Sequence, residues 1–393
     1  MTEAKPERGV KKLVRNLYIF LVKRPNFVMV AVYLFLWLAS CVTAYFLFFR
    51  PWKAPLFQGD RIYLVEQPPH IRSFGPETIP TVNDLSPPRY AAWNRPLCTM
   101  GYAASLALFL ILVCSDPGYT DRLSKDEQRL LSQFPADNQL YHDRECSTCK
   151  RTKPARSKHC KYCNTCVLRF DHHCVWLNND IGLFNHGWFL LFVALHMAGL
   201  IYLSVAQVRI FASIMAPVLS DWANPVLLLN VGIYLTVHMI PFGIFLMFHS
   251  SFAITMTLFT VLHVYLICAD VTTNEMGKRN AIKLDLKGGH RAYLLWDKSA
   301  AVSQVARLAG TQSSPLWDLL PEQYAEPEHG ELAPKYFDIT AEEAKRAFLF
   351  KPYTLGPAKN FARVVRSTRL RFDVRRAVRR LVAVQHVPFD GGR

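Results

Sequence analysis

Three stretches of this chain, 27–49, 96–114 and 187–208, are each apolar for about the 20 residues a helix needs to cross a bilayer. A fourth apolar region, 225–268, is interrupted at Pro241 and His249 and is long enough for two helices. In hydrocarbon every backbone group must find its partner within the segment, so such runs are expected to be helices. The first run is too long, and lies too far behind a charged stretch, for a cleaved signal peptide. Composition agrees with a membrane protein. Hydrophobic residues make up 51% and charged residues 19%, yet the net charge is +16, so the charges are gathered in blocks. Disordered, collagen-like and small disulfide-stapled classes are excluded by that balance.

Lys and Arg mark the cytosolic side. The first 25 residues carry seven basic residues against two acidic, the segment 115–186 carries eleven basic residues, and the chain after 268 carries 21. The loop 50–95 carries six, but it is Pro-rich and holds four acids. The expected division is a cytosolic 1–26, two spans with a lumenal loop over 27–114, a cytosolic 115–186, two further spans over 187–268, and a cytosolic tail over 269–393. Parity makes 225–243 a lumenal or partly inserted helix and about 245–268 the fourth span, with a fifth span as the rival. The fold class is an all-α polytopic membrane protein, four transmembrane helices with a cytosolic zinc-binding cysteine-rich domain between spans 2 and 3. The histidines His196, His238 and His263 within the apolar runs are expected to make polar contacts between helices.

Six of the ten cysteines fall between Cys146 and Cys174, in CSTCKRTKPARSKHCKYCNTCVLRFDHHCVWLNND. Cys146/Cys149 and Cys160/Cys163 each have the spacing of a zinc knuckle, and in the cytosol such thiols are metal ligands rather than disulfides. His159 and Cys160 are adjacent, so their side chains diverge, which favours two interleaved tetrahedral sites. Two zinc ions need eight donors. Cys146, Cys149, Cys160, Cys163, Cys166, His159 and one of His172 and His173 supply seven. The eighth is Cys174 or Asp180, and spacing does not choose. If it is Asp180, Cys174 is left beside His and Asp as an activated nucleophile.

From Cys146 to Asn185 the chain resembles the cysteine-rich domain of the DHHC family of protein S-acyltransferases. The resemblance is carried by the two C-x-x-C pairs, Lys153-Pro154, Arg156-Ser157, His159-Cys160, Cys166, Asp171-His172-His173-Cys174, Trp176, Asn178-Asn179, Gly182 and Asn185. Asp116-Pro117-Gly118, Thr272-Thr273-Asn274-Glu275 and Pro352-Tyr353 through Asn360 resemble three shorter elements of the family, the last set apart by an insertion. The family implies one zinc on Cys146, Cys149, His159 and Cys166, and a second on Cys160, Cys163, His173 and position 180. Asp180 stands where the family usually has cysteine, and a carboxylate can complete a zinc tetrahedron. Val175 replaces a proline common after the catalytic cysteine.

The resemblance implies a protein S-palmitoyltransferase. Cys174 would take a long-chain acyl group from palmitoyl-CoA and pass it to a protein cysteine, with His172 as base, Asp171 orienting it, and both zinc ions structural. Trp176, Phe189 and Phe192 would line the acyl cavity near its mouth. Lys153 and Arg156, among the basic residues from Lys150 to Lys161, would meet the phosphates of CoA. The missing proline also resembles the fungal endoplasmic-reticulum branch, which implies membrane-protein substrates with juxtamembrane cysteines such as SNAREs, and residence in the endoplasmic reticulum or, as the alternative, the Golgi. An acidic stretch lies around Glu322–Glu331. From Lys359 to Arg380, nine Lys or Arg against one Asp interleave with apolar residues, a pattern for anionic lipid at the cytosolic leaflet. A zinc-holding membrane adaptor without turnover is the rival from another class. Nucleic acid is not expected as a partner, because the cysteine segment is tethered at both ends to membrane spans.

Overall fold

The structure is a computed structural model that describes residues 27–49, 88–132, 134, 141, 145–220, 223, 240–287, 292–295, 336–339 and 353–382. Among the described residues, four helices are long and apolar enough to cross a membrane: α1 (Val28–Phe48), α2 (Pro88–Cys114), α3 (His186–Ser220) and α4 (Ile240–Cys268). Large apolar side chains stand exposed along them, among them Phe35, Met100 and Leu258, as expected of surfaces solvated by lipid rather than water. The chain is an integral membrane protein with its cysteine-rich segment between the second and third spans.

Two boundaries differ from the apolar runs. Helix α2 begins at Pro88 rather than 96, because Arg89, Tyr90, Trp93 and Arg95 extend it by turns suited to the headgroup region. Pro88 opens the helix, where a missing N–H costs nothing. Helix α3 runs on to Ser220, well past 208. Pro241 interrupts the last apolar region where α4 starts, in the first turn of the helix. The expected lumenal or inserted helix over 225–243 lies mostly outside the described residues, as do 1–26, most of the loop 50–95, His238 and the acidic stretch Glu322–Glu331.

The chain divides into two compact units, one of residues 31–110 and 191–261 and the other of 111–190 and 262–393 with the start of α1. The first unit is made of span segments. Its helices are joined by polar side chains: the Tyr33 hydroxyl donates to His196 Nε2 at 2.9 Å, and Trp37 Nε1 donates to Ser105 Oγ at 2.9 Å. His249 Nδ1 donates to Gln207 Oε1 at 2.8 Å while its Nε2 accepts from Ser40 at 3.0 Å. In lipid such bonds between helices each contribute about 0.6–2 kcal/mol. Arg95 Nε donates to the Phe48 carbonyl at 3.0 Å and satisfies an orphan group at the end of α1.

The second unit holds the cysteine segment, helix α5 (Thr273–Lys287), helices α6 (Pro357–Ser367) and α7 (Val374–Val382), and three pairs of short strands. Strand β1 (Lys158–Cys160) pairs antiparallel with β2 (Thr165–Val167), and β3 (His172–Cys174) with β4 (Asn179–Ile181). A third pair, β5 (Ala292–Leu295) with β6 (Tyr336–Ile339), belongs to the tail. Gly182 is required by close approach, since a Cβ there would lie 2.6 Å from both the Pro117 carbonyl oxygen and Val167 Cγ1. Gly118 has φ +105°, which a side chain disfavours, and it carries the tight turn after α2.

Candidate active site and metal centres

The cysteine segment is a repeat with a period of 14 residues. Cross-strand pairs occur at Glu145/Thr152, His159/Cys166 and His173/Asp180. Each of these hairpins turns through a left-handed residue at the same place: Lys150 (φ 52°), Asn164 (φ 51°) and Asn178 (φ 46°). The same shift carries Cys146 and Cys149 onto Cys160 and Cys163, and then onto Cys174 and Leu177. Each set of four donors therefore combines the knuckle of one hairpin with the cross-strand pair of the next.

Both sets fit a zinc ion. Two sulfurs at about 2.3 Å from zinc stand about 3.8 Å apart, and sulfur and nitrogen about 3.5 Å. In the first set His159 Nδ1 lies 3.5 Å from Cys146 Sγ, 3.3 Å from Cys149 Sγ and 4.0 Å from Cys166 Sγ. In the second, His173 Nδ1 lies 3.7 Å from both Cys160 Sγ and Cys163 Sγ. Asp180 Oδ1 is only 2.8 Å from His173 Nδ1, a hydrogen-bond spacing, and its buried Oδ2 has no hydrogen-bond partner. A fully buried carboxylate with an orphan oxygen is what a metal ligand looks like without its metal. All eight donors fall into the two groups the ligand scheme named, Asp180 included and Cys174 excluded. All ten cysteines are free thiols.

Strand alternation then explains why neighbouring histidines differ. Successive residues of β3 point to opposite faces. His173 faces Asp180 and the second donor set, whereas His172 and Cys174 share the other face. His172 Nδ1 donates to Asp171 Oδ2 at 2.7 Å, which leaves Nε2 free for the hydrogen bond between the ring and the Cys174 thiol. Burial opposes a charged imidazole at His172, but the Asp171 hydrogen bond and the neighbouring Cys174 raise its pKa to about 10. Burial likewise pushes the Cys174 thiol up; His172 and the Leu177 N–H outweigh it and leave the pKa lowered. The Leu177 contact is a remnant of the knuckle, matching Cys149 N–H to Cys146 Sγ at 3.4 Å.

Asp171 is fully buried and tied to the start of α5. Thr273 donates its N–H to Oδ1 at 2.8 Å and its hydroxyl to Oδ2 at 2.9 Å, and Asn274 N–H reaches the Asp171 carbonyl at 3.1 Å. Burial disfavours the carboxylate, yet the His172 hydrogen bond, with His186 and His263 nearby, holds its pKa far below the ordinary range. The helix N-terminus adds its partial positive charge. That terminus is itself fixed by a capping box, with Thr272 N–H to Glu275 Oε2 at 2.9 Å and Glu275 N–H to Thr272 Oγ1 at 3.2 Å. The His172 ring is walled by Phe189, centroids 5.2 Å apart, and by His263 at 5.9 Å.

Arg156 departs from its expected role. It is fully buried, with Nε 2.7 Å from Glu275 Oε1, NH2 2.8 Å from Glu275 Oε2 and NH1 2.9 Å from Asp270 Oδ1. A guanidinium so committed does not meet a phosphate of CoA; it braces the second hairpin against α5. Lys153 is half-buried, and Lys150, Arg151, Lys158 and Lys161 are exposed. Trp176 lies on the β3–β4 turn, partly exposed, and Phe189 reaches the His172 ring. Phe192 is buried among Tyr33, Phe109 and His196. Asn360 donates to the Cys268 carbonyl at 2.9 Å, and Tyr353 stacks edge-on against Phe134. Thr273, Asp270 and Arg169 were not singled out as site residues in the sequence. Only the Thr-Thr-x-Glu spelling hinted at Thr273.

Residues 139–280 match a family model described as DHHC palmitoyltransferase. The chain is 36% identical over 216 residues to the palmitoyltransferase SWF1 of Yarrowia lipolytica, covering 51% of this chain and 52% of that protein. It is 37% identical over 154 residues to SWF1 of Eremothecium gossypii, covering 39% and 40% of the two chains. With the rat palmitoyltransferase ZDHHC4 the identity is 47% over 89 residues, 22% and 25% of the two. The match spans about half the length of the Yarrowia relative and less of the others. Residues 139–280 of this chain are therefore similar to the DHHC palmitoyltransferase domain, and the chain is similar to the SWF1 palmitoyltransferases.

Proposed function

We propose that this chain is a protein S-palmitoyltransferase working through an acyl-enzyme on Cys174. The observation that carries the reading is the placement of His172 and Cys174 together on the strand face turned away from the metal donors, with Asp171 hydrogen-bonded to His172 Nδ1. His172 takes the thiol proton, Asp171 holds the ring and stabilises the imidazolium, and the thiolate attacks the thioester carbonyl of palmitoyl-CoA. The new bond joins the acyl carbon to Cys174 Sγ, the bond to the CoA sulfur breaks, and that sulfur leaves with the proton from His172. A substrate cysteine then gives its proton to His172 and takes the acyl group by the same exchange. One thioester replaces another at each step, so positioning and activation matter more than driving force.

Two zinc ions, on Cys146, Cys149, His159 and Cys166 and on Cys160, Cys163, His173 and Asp180, are structural in this reading. With four protein donors each, they have no open position for substrate. Lys153 and the exposed Lys150, Arg151, Lys158 and Lys161 serve the phosphates of CoA, and Trp176, Phe189 and Phe192 the acyl chain. The segments 1–26, 115–186 and 269–393 are cytosolic, separated by the span pairs in 27–114 and 187–268. Substrates are membrane proteins with cysteines beside their spans, SNAREs among them, in the endoplasmic reticulum. Anionic lipid lies beneath the basic C-terminal segment.

Purified protein given labelled palmitoyl-CoA is expected to acquire hydroxylamine-sensitive label, and Cys174→Ser to acquire none while keeping its zinc. Wild-type protein that holds zinc but stays unlabelled would overturn the proposal.

A further inference from the structure

Helix α7 carries two unlike faces. Its inner face is buried: Arg380 donates to the Tyr119 hydroxyl and to the Val113 carbonyl, each at 2.8 Å, and Ala377 is enclosed. Asp373 caps the start of the helix, accepting the Arg376 N–H at 3.0 Å. The outer face is different. Val374, Val378 and Val382 recur every four residues and are 56%, 50% and 75% exposed, with Phe372 just before them at 48%. Arg375 and Arg379 flank this stripe, exposed and without a carboxylate partner among the described residues. In water such a stripe is an unpartnered liability.

What covers it follows from where the helix is tied. The Asp373 N–H donates to the Cys114 carbonyl at 2.7 Å, and Phe372 bridges Ser115, so α7 starts from the last residue of the second span. The segment leading to it is fastened to two more span ends. The Gly187 N–H donates to Thr368 Oγ1 at 3.1 Å, and Asn360 donates to the Cys268 carbonyl at 2.9 Å. Three spans therefore end in one layer with this segment, and that layer is the boundary between membrane and water. A short helix at that level, with valines flanked by arginines, matches the headgroup region in both polarity and charge.

We infer that α7 is an interfacial anchor, its valine stripe set into the membrane the chain spans and Arg375 and Arg379 engaging the headgroups of anionic lipid. This deepens the proposed contact of the basic C-terminal segment with anionic lipid by naming the helix and side chains that make it; it rests on the spans and the span-end contacts, and not on acyl transfer. In the test, a fluorescent amino acid replaces Val378 in the full chain, which is reconstituted in phosphatidylcholine vesicles with and without phosphatidylserine. Lipids brominated near the headgroup serve as quenchers. Quenching is expected in both membranes and is expected to increase with phosphatidylserine. The double variant Arg375→Gln/Arg379→Gln should lose that increase, and Val374→Ser/Val382→Ser should lose quenching in both. Unchanged zinc content and gel-filtration profile certify that the variants fold. A probe that is not quenched, or quenching indifferent to both phosphatidylserine and the arginines, would overturn the inference.

Discussion

The second and third hairpins of the cysteine segment share strand length, register and a left-handed asparagine at the same position of the turn, yet they do different work. In the second, His159 and Cys166 face one donor set, and Cys160 on the other side of the strand faces the next. In the third, His173 and Asp180 still face metal donors, but the opposite side of the strand has no knuckle to complete. Leu177 stands where Cys163 stands one repeat earlier, so Cys174 has no second thiol beside it. His172 replaces Lys158 and Asp171 replaces Ser157 at the corresponding positions. A knuckle that has lost half its sulfur, and gained a histidine hydrogen-bonded to a carboxylate, is what the proposed acyl transfer would use as its site.

Substitutions that separate the two faces of the third hairpin test this contrast most severely. His172→Gln should slow acyl-enzyme formation by about 10²–10⁴-fold. Its zinc content should equal wild type, because the side chain points away from the donors. Loss of metal together with activity would show that the faces are not independent. The two hairpins are also fastened to α5 by different residues, Arg156 before the second and Asp171 before the third. Arg156→Leu leaves Glu275 buried without its guanidinium, while Asp270 keeps Arg363 and Arg169, and should cost about 3–5 kcal/mol, read as a lowered apparent Tm. Near-neutral stability would mean that water reaches that cluster.

Thr273→Val removes the hydroxyl bond to Asp171 but keeps the backbone N–H. Bonds to a charged acceptor contribute about 1.5–3 kcal/mol to stability, so the apparent Tm should fall, and the rate should fall with it as Asp171 loses part of its hold on His172. A rate equal to wild type would assign the orientation of Asp171 to the backbone alone. The smallest effect is expected of Asp180→Cys, which makes the second donor set chemically equal to the first. It should retain label and resist chelators longer than wild type, whereas Asp180→Ala should release one of two ions on dialysis. Equal chelator resistance in all three proteins would remove Asp180 from the metal site.

Several features were legible because their causes are local. The spans follow from apolar length, and each starts or ends within a few residues of its apolar run, although α2 begins earlier and α3 runs on to Ser220, past Pro217. The first seven metal donors follow from knuckle spacing. The choice between Cys174 and Asp180 was open to inspection of residue spacing alone, although the 14-residue shift that places Asp180 in line with Cys166 lies in the sequence. Arg156 misled for a physical reason. A run of basic residues looks uniformly solvated until a buried acidic pair, at Asp270 and Glu275, claims one of them.

By itself, then, the sequence determined a membrane protein with two interleaved sets of candidate metal donors and a cysteine beside His and Asp, since hydrophobic length and ligand spacing act over a few residues. Tertiary structure alone decided which carboxylate is held by which donor. Asp171 and Thr273 lie 102 residues apart, and nothing local brings them together. It also decided which arginines of the tail turn inward and which outward, because Arg380 and Arg379 are neighbours in a uniform run and only the packed span end at Val113 distinguishes them. Side-chain direction on a short strand or helix is set by what lies across from it, and that partner is fixed only when the chain has folded.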